Sequence, residues 1–110
     1  MKCAVIGLGE FGKALAIKLA SRGAEVIAVD TNIDLVEDVK NDVSLAVKLD
    51  ATDERDLISQ GVHKVDVIVA SLGNNFEVNA LIVVMAKKFG IPKIKGFIGK
   101  KIGSNSRRIS

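Results

Sequence analysis

Six consecutive residues, Gly7-Leu8-Gly9-Glu10-Phe11-Gly12, constrain this 110-residue chain more than any other feature, because of what flanks them. The apolar run Cys3-Ala4-Val5-Ile6 leads straight into the loop, and Phe11, Ala14, Leu15 and Leu19 then recur at helical spacing. A second apolar run follows, Glu25-Val26-Ile27-Ala28-Val29, closed by Asp30. Glycines fall at this spacing by chance in many chains; a strand before them, a helix after them and an acid at the next strand end make the pattern specific. Each glycine has a physical task. Gly7 makes the tight turn out of the strand, Gly9 lets backbone approach a pyrophosphate, and Gly12 lets helix and strand pack closely. N–H groups at the start of the helix attract the phosphates, and Asp30 accepts hydrogen bonds from ribose hydroxyls. The competing reading, glycines that only shape a strand-to-helix turn, is the lesser one. The pattern points to a nucleotide-binding βαβ unit.

The rest of the chain repeats the alternation. Gly23 caps the first helix, and Asp30 to Asp34 is a connection that includes Thr31. Leu35, Val36, Val39 and Val43 mark a short second helix, and Leu45 to Leu49 a third strand ending in Asp50-Ala51-Thr52. Thr52 or Asp53 caps a helix running to about Gln60, with Gly61 as its stop. Val65 to Ala70 reads as a fourth strand whose contiguous apolar residues suit a sheet covered on both faces. Ser71-Leu72-Gly73-Asn74-Asn75 is a polar loop before a helix over Glu77 to Lys88, and Ile91 to Ile94 is a fifth strand with room to continue to Ile98. This alternation predicts an α/β, three-layer, Rossmann-like fold: a parallel sheet of about five strands in the order 3-2-1-4-5, truncated after the fifth strand. Residues 1–95 form the domain, and residues 96–110 read as a flexible or artificial basic tail rich in Gly and Ser.

A ligand on such a sheet lies outside the carboxyl ends of the strands, at the switch point between strands one and four. Residues 7–12, 30–32, 50–52 and 71–75 meet there. The cofactor-binding candidates are therefore Gly7, Leu8, Gly9, Glu10, Phe11, Gly12, Asp30, Thr31, Asp50, Ala51, Thr52, Ser71, Leu72, Gly73 and Asn74. Asp50 has two compatible roles, facing adenine or ribose, or capping the next helix with Thr52. Asn74 and Asn75 read first as turn formers, with a phosphate or nicotinamide contact as the sharper alternative. Glu77 reads as a first-turn carboxylate favoured by the helix dipole, with cation bridging as the minority alternative.

Composition narrows the function classes. Residues 1–85 hold 8 Lys/Arg against 13 Asp/Glu, net −5, whereas residues 86–110 hold 8 Lys/Arg and no acid, net +8, which gives the overall +3. The positive charge belongs to the tail. Phe97 is the only aromatic residue within 96–110, so nucleic-acid binding is disfavoured. Strand one begins almost at Met1, leaving no room for a targeting segment, and the longest apolar run, Ala80 to Ala86, is too short for a bilayer. Cys3 reads as a buried, inert thiol of a reducing compartment. His63 is expected in an exposed loop at the amino end of the sheet. No nucleophile–base set, metal-ligand cluster or Walker lysine is evident, so no catalytic or metal residue is assigned. A cofactor site without a reaction site favours sensing over catalysis.

Val5-Ile6-Gly7-Leu8-Gly9-Glu10-Phe11-Gly12, Val29-Asp30, Leu49-Asp50-Ala51-Thr52-Asp53, Val67-Ile68-Val69-Ala70 and Glu77-Val78-Asn79 together resemble the RCK family, also called KTN or TrkA-N. The resemblance covers about residues 1–95, and Asp-Ala-Thr after strand three is its most discriminating part. It implies a cytosolic regulatory module, peripheral to the inner membrane face, that assembles as a homodimer or larger ring on a potassium channel or transporter. The implied ligand is NAD or NADH, with AMP, ADP or ATP as further adenine nucleotides. By the same resemblance Gly7, Gly9 and Gly12 line the phosphates, Asp30 holds the adenosine ribose, and Asp50, Ala51 and Thr52 border the adenine. The chain departs from the family at Glu10, where ATP-binding members commonly carry arginine; a carboxylate there repels a triphosphate. The alternative from another class is the cofactor half of an NAD-dependent oxidoreductase.

Overall fold

The apolar runs of the sequence become buried strands, and the helical periodicities become helices laid over both faces of one sheet. A computed structural model describes residues 1–73 and 75–96, so Asn74 and the tail beyond Gly96 lie outside the described residues. Strands β1 (Lys2–Ile6), β2 (Glu25–Asp30), β3 (Leu45–Lys48), β4 (Val67–Ala70) and β5 (Lys93–Gly96) alternate with helices α1 (Glu10–Ser21), α2 (Ile33–Val39), α3 (Glu54–Ser59) and α4 (Phe76–Phe89). A short 3-10 turn, Val62–Lys64, precedes β4. The strands pair in parallel in the order β3-β2-β1-β4-β5, as the alternation predicts. β1 is central: Val5 stands beside Ala28 on one side and Val69 on the other.

Side chains alternate across the pleat, so each face builds its own core. Val5, Val26, Ala28 and Val69 pack with Leu8, Ala16 of α1, and Val36 and Val39 of α2. Ala4, Ile6, Ile68 and Ala70 pack on the opposite face with Leu57 of α3 and Ile82, Met85 and Ala86 of α4. Fully buried side chains such as Leu57 and Ile82 each contribute about 1.5–3 kcal/mol by leaving water.

Several element boundaries differ from the sequence reading, and four of them have a local cause. α2 starts at Ile33, because the Asn32 side chain accepts from the Asp34 N–H and caps it there. It ends at Val39, so Val43 joins the core from a turn rather than from the helix. β4 begins at Val67, since Val65 closes the 3-10 turn. β5 begins at Lys93, not Ile91: the Ile91 N–H donates to Ala86 O and the Gly90 N–H to Lys87 O, the paired bonds of a Schellman helix end. Ile91 is thereby buried as a helix stop.

Candidate functional site

At the carboxyl edge of the sheet the chain leaves β1 through a turn with no room for side chains. Gly7 has φ +101°, and a Cβ there would meet Ser71 O at 2.6 Å. A Cβ on Gly12 would land on the Gly7 carbonyl oxygen, so the start of α1 is pressed directly onto the turn. Gly9 differs: its φ is −65°, and a Cβ would find nothing within 4 Å. The space over Gly9 is open because it is the floor of a cavity.

Three side chains hold the loops of this edge from neighbouring elements. Asp30, 9% exposed at the end of β2, accepts from the Leu8 N–H through Oδ2 at 2.8 Å and from the Asn32 N–H through Oδ1 at 2.9 Å. Ser71, buried after β4, donates its hydroxyl to Gly7 O at 2.9 Å and Ile6 O at 3.1 Å. Asn79, buried in α4, accepts from the Leu72 N–H at 3.1 Å and so ties the loop after β4 to the helix.

Two cavities open on this edge. The first, about 280 Å³, is lined by the turn from Gly7 to Gly12 (Leu8 excepted), by Asp30, and by Ser71, Leu72 and Gly73. Glu10 and the half-exposed Phe11 stand at its lip. The second, about 140 Å³, lies between Asp30, Thr31 and Asp50-Ala51-Thr52, with apolar walls from Val29, Leu49, Leu72 and Val78. Asp30 and Leu72 belong to both. One cavity is lined by the glycine turn and sits at a helix start; the other has apolar walls and a polar rim. Together they can take a phosphate group joined to a flat heterocycle, with an acid between them that can accept hydrogen bonds.

At the rim, Asp50 Oδ1 accepts from the Thr52 hydroxyl at 2.6 Å and from the Thr52 N–H at 2.9 Å. The hydroxyl bond first, and the N–H bond second, hold the Asp50 carboxyl below the usual carboxylate range. Of the two roles read for Asp50, helix capping falls to Asp53, which accepts from the Arg55 and Asp56 N–H groups at 3.0 and 3.2 Å.

The candidates therefore gather, with two qualifications. The Leu8 side chain is buried in the core, so only its backbone faces the site, and Asn74 lies outside the described residues. Sequence reasoning missed Leu49 and Val78 as lining residues and Asn79 as a loop tether, while Asn75, read first as a turn former at this edge, also lines the second cavity. Their signal was positional: the end of β3 and the first turns of α4 border the switch point. His63 is corrected. It lies before β4 as expected, but its ring is half-buried against Phe89, with centroids 6.1 Å apart, and Nδ1 is buried with no hydrogen-bond partner among the described residues.

Known proteins match along this same stretch. The family model of the TrkA-N domain matches residues 3–96. The Ktr system potassium uptake protein A of Bacillus subtilis is 35% identical over 91 residues, covering 83% of this chain and 41% of that protein. Its namesake from Vibrio alginolyticus is 32% identical over 91 residues, with the same 83% and 41% coverage. The chain thus spans about two-fifths of the length of these curated relatives. Among solved structures, the NAD(P)-binding domain of an exopolyphosphatase-related protein from Archaeoglobus fulgidus superposes with a TM-score of 0.69 at 23% identity, covering 96% of this chain and 80% of that one. The Shewanella denitrificans Kef CTD in its AMP-bound form gives 0.61 at 16%, covering 89% and 58%. Both structures share the fold.

Proposed function

The chain belongs to the TrkA-N domain family, and from that premise we propose that it is a nucleotide-binding regulatory module of a potassium uptake system. The observation that carries this reading is the pair of cavities meeting at Asp30, one fitted to phosphate and one to a base. The glycine turn takes the phosphates, Asp30 takes the ribose hydroxyls, and the walls around Asp50, Ala51 and Thr52 take the adenine.

NAD or NADH is the ligand this chemistry favours over AMP, ADP or ATP. Asp30 sets a carboxylate where a 2′-phosphate would sit, and Glu10 sets another at the lip of the phosphate cavity. The role is regulatory rather than catalytic. His63 stands at the opposite edge of the sheet, and the Cys3 thiol is buried in β1, where burial pushes its pKa up. Among the described residues no helix is long and apolar enough to cross a membrane. The module acts at the cytoplasmic face as a homodimer or larger ring on a membrane transporter, and its ligand acts by binding one assembly state more tightly than another.

Calorimetric titration tests the site. NADH should bind at least tenfold more tightly than NADPH, about 1.4 kcal/mol. Glu10→Arg should raise ATP affinity more than AMP affinity, by a margin that added salt shrinks. The role is tested by potassium flux in vesicles holding the full-length protein and its membrane partner, with and without nucleotide. Unchanged flux at saturation, or steady nucleotide turnover by the domain alone, would shift the reading to the cofactor half of an NAD-dependent oxidoreductase.

A further inference from the structure

Asp30 has more to do in this fold than meet a ribose. Its two carboxylate oxygens are each already engaged, Oδ2 by the Leu8 N–H at 2.8 Å and Oδ1 by the Asn32 N–H at 2.9 Å. Leu8 sits in the glycine turn, 22 residues away along the chain, and its side chain is buried beneath the turn. The Leu8 N–H is therefore a buried donor whose acceptor comes from a different strand. An N–H in that position is costly to leave unmade. Each carboxylate oxygen can accept a second bond, so these contacts leave capacity toward the two cavities that Asp30 divides.

We propose that Asp30 is a positioning residue for the phosphate cradle as well as the ribose acceptor: its carboxylate straps the glycine turn, through the Leu8 N–H, into the shape that receives the phosphates. The proposal rests on reading this edge as a nucleotide site and adds a second role for one of its residues. Reading the ribose and shaping the cradle are then one function of one side chain. An amide cannot replace the carboxylate, because two N–H donors face its two ends and one would meet an NH₂ group.

The discriminating ligand is inorganic pyrophosphate, which has phosphates but no ribose. Asp30→Asn removes a negative charge beside the phosphate cavity, so a residue that only reads ribose would leave pyrophosphate binding unchanged or tighter. The strap predicts the opposite sign: pyrophosphate binding weakens at least fivefold in Asp30→Asn, measured where circular dichroism shows the fold intact. It also predicts at least a tenfold faster hydrogen exchange of the Leu8 amide in the nucleotide-free variant. Equal or tighter pyrophosphate binding, or unchanged Leu8 exchange, overturns the proposal. If Asp30→Asn does not fold, the wild-type chain decides. A through-hydrogen-bond NMR coupling from the Leu8 nitrogen to the Asp30 carboxyl carbon supports the strap, and its absence in the nucleotide-free protein overturns it. Failure of wild-type protein to bind any nucleotide or pyrophosphate would instead defeat the nucleotide reading, and the exchange and coupling measurements separate the two.

Discussion

Among the described residues, the four helices begin in two different ways. α2, α3 and α4 each start under a side chain that accepts from the first-turn N–H groups: Asn32, Asp53 and Asn75. α1 starts at Gly9, which brings no side chain to its own helix end. The cavity opens there, with empty space where a Cβ would point. A capped helix start answers its own hydrogen-bonding demand and is structural; a glycine start leaves the positive end of a 12-residue helix facing a cavity. The contrast marks the candidate site without reference to any relative.

Giving α1 a cap of its own should produce the largest effect. Gly9→Asp has room for its side chain and the backbone angles of an N-cap, so the ligand-free fold should change by no more than a few tenths of a kcal/mol in urea unfolding. Nucleotide affinity should fall at least a hundredfold, about 2.7 kcal/mol, in calorimetry, because a carboxylate then fills the phosphate space. Retained affinity would mean that phosphates do not approach Gly9.

Removing a cap elsewhere sharpens the comparison from the other side. Asp53→Ala frees two first-turn N–H groups and should cost about 1 kcal/mol of stability while leaving nucleotide affinity within twofold. A comparable loss of affinity would show that the cavity rim depends on α3. The smallest effect belongs to Thr52→Val, which deletes the hydroxyl bond to Asp50. Its folded pKa is lowered, so the bond contributes stability above the ordinary carboxylate range and loses it as pH falls through the folded value. The variant should be less stable by under about 1 kcal/mol near pH 7, since Asp50 is exposed and screened, and the difference should shrink as pH falls below the ordinary carboxylate range. The Asp50 carboxyl resonance should titrate closer to its ordinary value.

Much of this molecule was legible in the sequence because its signals are local. The glycine spacing, the contiguous apolar strands and the helix-ending Gly23 each act over a few residues, and local sterics and capping decide their outcome. The strand order followed from right-handed crossovers, and with it the edge where the candidate residues gather. Boundaries moved where a neighbour intervened: Asn32 drew α2 forward, and the helix-closing bond of Ile91 delayed β5. The tertiary structure alone decided which polar group meets which. That Asp30 accepts from Leu8, that Asn79 holds Leu72, and that His63 packs on Phe89 could not be read from composition or period. A hydrogen bond between residues far apart in the chain depends on the register of strands and the seating of helices. Those are settled by burying two apolar faces at once, which is a property of the assembled sheet rather than of any segment.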